Sequence, residues 1–209
     1  LEKIQKGGAV FNIEKLDWFN GYYIRKLSLD KLTKLCIPYL IKNGLIEPKF
    51  KSEQHPPAYG GYTISEEYVS TDTREKIDFG KLEKIIAPEQ KRIKKLSEAG
   101  ESTEFFFREP RYKPDLLKWK NMTVKEVLES LKTTEEILSK VKEKDFIAEK
   151  LEKALMPEAQ KIGDRGKLLW PLRVALSGKD KSPGPFEIGE ILGRERALKR
   201  LKYAQKIVK

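Results

Sequence analysis

The chain has 209 residues, with 43 Lys plus Arg against 32 Asp plus Glu, one His and one Cys. A single Cys and a single His exclude a Cys/His zinc site, an internal disulfide and a relay of several histidines. The net charge of +11 calls for an anionic partner, while 39% apolar and 10% aromatic residues suffice for a buried core.

Helical patterns dominate the chain order. After Gly7-Gly8, Asn12 is placed to cap a helix whose Leu16, Phe19, Tyr23 and Leu27 recur at the three-to-four spacing of one buried face. Ser28 offers the next cap, for a helix carrying Leu29, Leu32, Leu35, Cys36, Tyr39 and Leu40 up to the Asn43-Gly44 stop. These two helices are expected to form an antiparallel pair. Residues 45–77 differ in kind, being rich in Pro, Gly and Tyr and poorly periodic, and they read as an irregular insertion. Within it, Tyr62-Thr63-Ile64 suits a local strand whose partner nothing fixes. From Asp78 a helical pattern runs through Leu82, Ile85 and Ile86, breaks at Pro88 and is expected to resume at Ile93 and Leu96, with Phe105-Phe106-Phe107 buried at its end.

Pro110 and Pro114 mark a hinge. Beyond it, Thr123 is placed to cap a helix with Val124, Val127, Leu128 and Leu131, and Thr133 or Thr134 to cap another with Ile137, Leu138 and Val141. Asp145 is placed to cap a third, with Ile147, Leu151 and Leu155. A fourth is expected near Leu168–Leu176 and a last one from about Pro185 to Val208. The fold class implied is all-α: two packed helical subdomains in series with an irregular insertion near 45–77. The expected boundaries are 1–28 for a linker helix, 29–115 for the first subdomain and 116–209 for the second.

A search for catalysis finds little. His55 precedes Pro56-Pro57 with no acid placed to orient it, and Cys36 sits on an apolar helix face as a structural thiol. The glycines of 163–166 and 189–193 form no phosphate-binding fingerprint. Cation clusters remain: Lys91-Arg92-Ile93-Lys94-Lys95 at the expected start of a helix, Arg108 and Arg111 at the hinge, and the last quarter, where 13 basic residues meet 5 acidic ones over 161–209. Such a basic terminus is either an electrostatic footprint or a solvated face. In Arg173 to Phe186 a helix ends at Gly178, and the Pro-stiffened loop holding Lys179, Lys181, Ser182, Pro183 and Pro185 leads into the next helix. Free backbone amides and a preset conformation suit such a loop to anion or base contact. Phe186 is placed either to stack on a base or to staple the last helix to the core.

The run Gly7 to Arg25, through Phe11, Asn12, Leu16, Asp17, Trp18, Phe19, Asn20, Gly21, Tyr22 and Tyr23, resembles a signature of bacterial-type glutamyl-tRNA synthetases, class I aminoacyl-tRNA synthetases. Pro171 to Gly178, Ser182 to Ile188 and Leu192 to Leu201 resemble the C-terminal end of that family, in the same order. The resemblance implies the stem-contact edge plus the anticodon-binding helical cage, catalytically inert alone. The HIGH-type and KMSKS-type motifs of the family belong to an N-terminal catalytic domain and are missing, although Lys179-Asp180-Lys181-Ser182 superficially resembles the latter. No cofactor is therefore expected in this chain, while ATP and Mg2+ are implied for the catalytic domain.

The partners implied are the anticodon loop of glutamate tRNA and that N-terminal catalytic domain, in a cytoplasmic monomer with no membrane. Arg92 matches the arginine that reads the third anticodon letter in the family. Arg173, Ser182, Pro183, Pro185 and Phe186 fall where the family contacts the other anticodon bases, with Pro185 replacing a residue that is often Leu. Lys179, Lys181, Arg194 and Arg196 are expected on phosphates, adding affinity without sequence information. Two other readings stay open on the residues: a free-standing helical protein adapter, and a nonspecific RNA chaperone.

Overall fold

The computed structural model describes residues 12–49, 65 and 67–208, together with the backbone of 58–59 and 62–63. Gly7-Gly8, His55, Pro56-Pro57, Gly60-Gly61 and Ile64 lie outside the described residues. Helices dominate, as the all-α reading expects. Helix α1 is Ile13–Lys26 and α2 is Leu29–Lys42. The side chains of Asn12 and Ser28 accept from the amides of Lys15 and Lys31, so both sequence-read caps are made.

Residues 45–77 are more ordered than their composition suggests. Strand β1 (Ile46–Pro48) pairs antiparallel with β4 (Glu67–Ser70), which pairs with β5 (Lys76–Asp78), giving the order β1-β4-β5. A separate two-stranded ribbon joins β2 (Ala58–Tyr59) to β3 (Tyr62–Thr63), which supplies the missing partner of the expected local strand. Tyr68 lies opposite Pro48 and Ile77 and is fully buried, its hydroxyl accepting from the Ser65 amide at 2.8 Å. Ser70 donates to the Phe107 carbonyl at 3.2 Å, which ties the sheet to the end of the helix behind it. Period-two burial here spans only Tyr68 and Ser70, too short a run to be read as a strand in advance.

Asp78 caps α3 (Phe79–Ile86), and a 3-10 turn over Ala87–Glu89 follows where Pro88 stops the helix. The helical pattern does not resume at Ile93 and Leu96. That stretch is a chain of turns, and α4 is Glu98–Phe107, so Arg92 belongs to a turn and not to a helix start. Helices α2, α3 and α4 pack together with the sheet, and Phe105, Phe106 and Phe107 are all buried.

The second half holds α5 (Val124–Ser139), α6 (Ala148–Lys161), α7 (Gly166–Ser177) and α8 (Pro185–Ile207), with α8 packed on the other three. Thr123 and Glu126 form a capping box at the start of α5. Two expectations need correction. Helix α5 runs straight through Thr133 and Thr134, and Thr134 is buried rather than capping, because one continuous apolar face carries Val127, Leu131 and Leu138. Asp145 does not cap α6 but pairs with Lys150; the α6 N-terminus is satisfied by Glu190 of α8, which accepts from the Ala148 amide at 2.7 Å. Helix α8 is kinked at Gly193, whose φ of 76° interrupts the helical dihedrals.

One apolar cluster runs from Ile37 through Leu117, Leu131 and Leu172 to Val208, so the two halves share a core. A smaller one joins Ile24 of α1 to Leu32, Cys36, Ile86, Ile93 and Ala99. Burial pushes the Cys36 thiol up to about 12, which keeps it a protonated structural residue. Helix α1 overturns its predicted face. It buries Gly21 and Ile24, while Leu16, Phe19 and Tyr23 face solvent beside Ile13, Trp18 and Tyr22. At the Gly21 edge α1 lies against the 93–94 backbone, where a Cβ would stand 3.7 Å from the Lys94 Cα and 3.8 Å from the Ile93 carbonyl oxygen, in van der Waals contact.

A candidate nucleic-acid interface across the seam

The 90–96 turn, which follows the Pro88 break, is fixed from the α1 side. Gln90 donates to the carbonyls of Ile24 and Leu27 at 3.1 and 2.8 Å and so closes the C-terminus of α1. Lys95 pairs with Asp17 at 3.2 Å. Between these anchors Arg92 projects, its Nε donating to Glu89 at 3.2 Å. Glu89 is only 2% exposed whereas the Arg92 side chain is 37% exposed. Burial raises the Glu89 pKa, against the pull of Arg92 and Lys179 and with the help of Glu187. The Nη atoms of Arg92 make no hydrogen bond among the described residues, so that edge is free.

Arg173 comes from α7, in the second half. Its Nη2 donates to the Asp180 carbonyl at 2.9 Å, and its guanidinium carbon rests 4.5 Å from the centre of the Trp170 ring. Trp170 is itself held by donation from its indole to the Leu116 carbonyl at 2.8 Å. The Nε of Arg173 is buried without a partner. Desolvation lowers the pKa of Arg173 and the nearby Arg92 charge lowers it further, while Asp180 opposes them. Like charges from opposite halves thus influence one another, and the Nη atoms of Arg92 and the Nη1 of Arg173 make no hydrogen bond among the described residues. This arrangement suits an electron-rich ligand that accepts from both.

The loop after α7 is locked. Gly178 has a φ of 69°, and a Cβ there would lie 2.7 Å from Pro110, so the left-handed cap and the contact with the hinge both demand glycine. Ser177 donates to the Arg173 carbonyl at 2.8 Å and accepts from the Lys179 amide at 3.1 Å. Lys179 reaches across the seam to the Glu101 carbonyl of α4, whereas Lys181 is exposed and makes no ion pair among the described residues. Ser182 and Pro183 are buried; Pro185 and Phe186 are half-buried, Phe186 against the main core. A cleft of about 400 Å³ opens between Lys84, Ala87, Pro88 and Lys91 on one side and Glu187 and Ile191 of α8 on the other.

Arg194 and Arg196 are placed apart from this cluster. Arg194 donates to the Val141 and Ser139 carbonyls at 2.9 and 2.7 Å and closes the end of α5, and Arg196 pairs with Glu75 of the β4–β5 turn at 3.5 Å. Three participants were missed from sequence. Glu89 and Trp170 each stand three positions before the arginine they serve, a spacing that puts Trp170 and Arg173 on one face of α7 and brings Glu89 and Arg92 together across a turn. Arg200 is the third. It is 2% exposed and donates to Glu109 at 3.0 Å, to the Phe105 and Arg108 carbonyls at 2.7 and 3.0 Å, and to the Leu176 carbonyl, joining the ends of α4 and α7. Its signal was the spacing Ala197, Arg200, Leu201, Ala204, which puts it on the buried stripe of α8.

Among the described residues no cluster of three or more His, Cys, Asp or Glu is placed to hold a metal ion, and no helix is long and apolar enough to cross a membrane. A family model described as an anticodon binding domain matches residues 31–205. A glutamate–tRNA ligase of Caldanaerobacter subterraneus subsp. tengcongensis is 31% identical across 100% of this chain and 37% of its own length, and that of Clostridium kluyveri is 34% identical with the same coverage. The chain therefore spans little more than a third of the curated relatives it matches. A crystal structure of a glutamate tRNA ligase from Elizabethkingia meningosepticum in complex with its amino acid has the same fold, with a TM-score of 0.70 over 99% of this chain and 35% of that one at 23% identity.

Proposed function

Since this chain belongs to the anticodon-binding domain family, we propose that it is the C-terminal, tRNA-reading region of a glutamate–tRNA ligase that works as a cytoplasmic monomer. The observation that carries this reading is that Arg92 and Arg173, one from each half, each engage only part of the guanidinium within the chain, which leaves Nη donors without a partner among the described residues. Loop bases of RNA are read once splayed out, by stacking on rings or guanidinium planes and by hydrogen bonds to their edges. Arg92 reads the third anticodon letter: its free Nη edge donates to a cytosine carbonyl, and its fixed position leaves no room for guanine. Arg173, backed by Trp170, and the following loop meet the other letters, with Pro185 and Phe186 supplying the accessible apolar faces and the buried Ser182 and Pro183 holding the loop in shape. Lys181 adds phosphate attraction directly, while Lys179, Arg194 and Arg196, held by partners within the chain, add only the long-range pull of their charge.

The exposed apolar face of α1, with Trp18 59% and Tyr23 64% exposed, is where the catalytic part of the ligase packs, since contiguous apolar surface of this kind marks an interface. ATP and Mg2+ belong to that catalytic part, and 1–28, 29–115 and 116–209 act as linker and two reading subdomains. Holding the anticodon loop here converts anticodon identity into correct placement of the acceptor end. The test is binding of the chain at one stated salt concentration to glutamate tRNA, to the same tRNA with only the third anticodon letter changed from C to G, and to an unrelated tRNA. Weaker binding of both competitors is expected; equal binding of all three would leave a nonspecific RNA chaperone, and salt-sensitive binding to a protein with none to tRNA would leave an adapter.

A further inference from the structure

We propose that Glu89 is the positioning residue that makes Arg92 a selective reader, so that anticodon discrimination depends on a carboxylate the RNA never touches. The inference rests on the anticodon-reading function just given and goes beyond it to the group that fixes its main donor. Glu89 sits on the 3-10 turn created by Pro88, three residues before Arg92, and is buried while its partner is not. A carboxylate with that little exposure is retained only if it is paired. Its hydrogen bond takes the Nε of Arg92 and leaves the Nη atoms without a hydrogen bond among the described residues. One donor of a rigid planar fork is thus anchored inside the protein, and the geometry of the others follows.

Arg173 gives Glu89 a second task. The Arg92 charge is close enough to depress the pKa of Arg173, so the two guanidiniums push one another apart. A free arginine would swing away from such a neighbour. The charge beneath Arg92 counters this, and Lys179 also feels it from the loop side. Turn, seam and loop therefore meet at one carboxylate. Fixing the donor before the RNA arrives reduces the ordering cost of binding and, more to the point, penalises a base whose edge does not match.

The experiment uses the whole 209-residue chain as wild type, Glu89→Gln, Glu89→Asp, Arg92→Gln and the Glu89→Gln/Arg92→Gln double variant, each checked for a cooperative fold by circular dichroism. Affinity is measured for the tRNA pair that differs only by C or G at the third anticodon letter. Glu89→Gln should lower the C-over-G preference by about tenfold, an ordinary coupling for residues in contact. Glu89→Asp, which keeps the charge, should retain more of the preference than Glu89→Gln. In the Arg92→Gln background, adding Glu89→Gln should change the preference no further. A readout without RNA is the Arg92 Nε–H resonance: slow exchange with water in the wild type, fast exchange in Glu89→Gln. An unchanged preference in folded Glu89→Gln, or an equal loss in both backgrounds, overturns the positioning role and leaves anticodon reading standing. A wild-type chain that shows no preference overturns the reading and the selectivity role with it, and the resonance then reports only on the free protein.

Discussion

Two sets of arginines line the same seam, and they are solved in opposite ways. Arg200 has every face occupied: a carboxylate and three carbonyls receive its donors, and it is all but inaccessible. Arg92 and Arg173 are partly exposed, bear like charges that influence one another, and keep Nη donors without a partner among the described residues. Burial strips water from Arg200 and in part from Arg173, and desolvation is the largest influence pulling the Arg200 pKa down to about 10. What separates them is satisfaction. A guanidinium whose partners are all within the chain holds the structure together, and one whose partners are missing is prepared for a ligand.

The largest effect should come from breaking the satisfied arginine. Arg200→Met strands the ends of α4 and α7, whose carbonyls lose their donors, and leaves Glu109 without its buried partner. A loss of about 3 kcal/mol is expected, at the lower end for a broken buried pair because Glu109 stays half-exposed. Urea unfolding measures it. The relative affinity for the two tRNAs should stay as it was, since Arg200 meets no solvent; a change in selectivity without a loss of stability would erase the distinction between the two sets.

Arg92→Gln should show the reverse emphasis. Removing a base-reading guanidinium costs about 1–3 kcal/mol of discrimination, tenfold or more at the third anticodon letter. The variant also leaves the Glu89 carboxylate buried without its partner, so some stability is lost with it. Adding Glu89→Gln should then restore stability without restoring discrimination, a split that unfolding and binding measured side by side will show.

The seam was only partly legible in the sequence. Caps at Asn12, Ser28 and Thr123 are local chemistry and could be read directly. The facing of α1 could not, because a three-to-four stripe says that a face is apolar and not what covers it; Gly21 and the 93–94 backbone claim the opposite edge. Strands β1, β4 and β5 were hidden because each is only three or four residues long, too short for an alternation to show, and they pack against α2 and α3. In the site, the cations stood out by composition. Their supports did not, since Glu89 looks like any surface acid until Pro88 turns it inward.

The carboxylates beneath the two sets should respond to pH with opposite signs, each by no more than about 1 kcal/mol given their surroundings. Burial works against ionisation of Glu109, but Arg200 and Lys199 outweigh it and hold its pKa below the usual range. Its contribution to stability is present above its ordinary pKa and is lost as pH falls through the folded value. Glu89 has a raised pKa, so its contribution is present in acid and is lost as pH rises through the folded value. Glu109→Gln should therefore destabilise at neutral pH and have little effect in acid, whereas Glu89→Gln should be neutral or stabilising at neutral pH. Thermal unfolding across the acid range compares them, and a common sign would show that the two pairs are held alike.

The smallest effect separates two lysines that stand two positions apart in one loop. Lys179 spends its ammonium on the Glu101 carbonyl across the seam, and Lys181 projects into solvent two positions later. By the logic that divides Arg200 from Arg92, Lys179 is structural in part and Lys181 is available to phosphate. Lys181→Gln should lower the slope of log affinity against log salt by about 1, weaken all RNAs alike and leave stability within a few tenths of a kcal/mol. Lys179→Gln should cost more stability than Lys181→Gln and change the salt slope less, because its charge is already committed. If Lys179→Gln moves the slope as far as Lys181→Gln does, the contact with Glu101 gives way when RNA binds, and a partner within the chain does not keep a cation from its ligand.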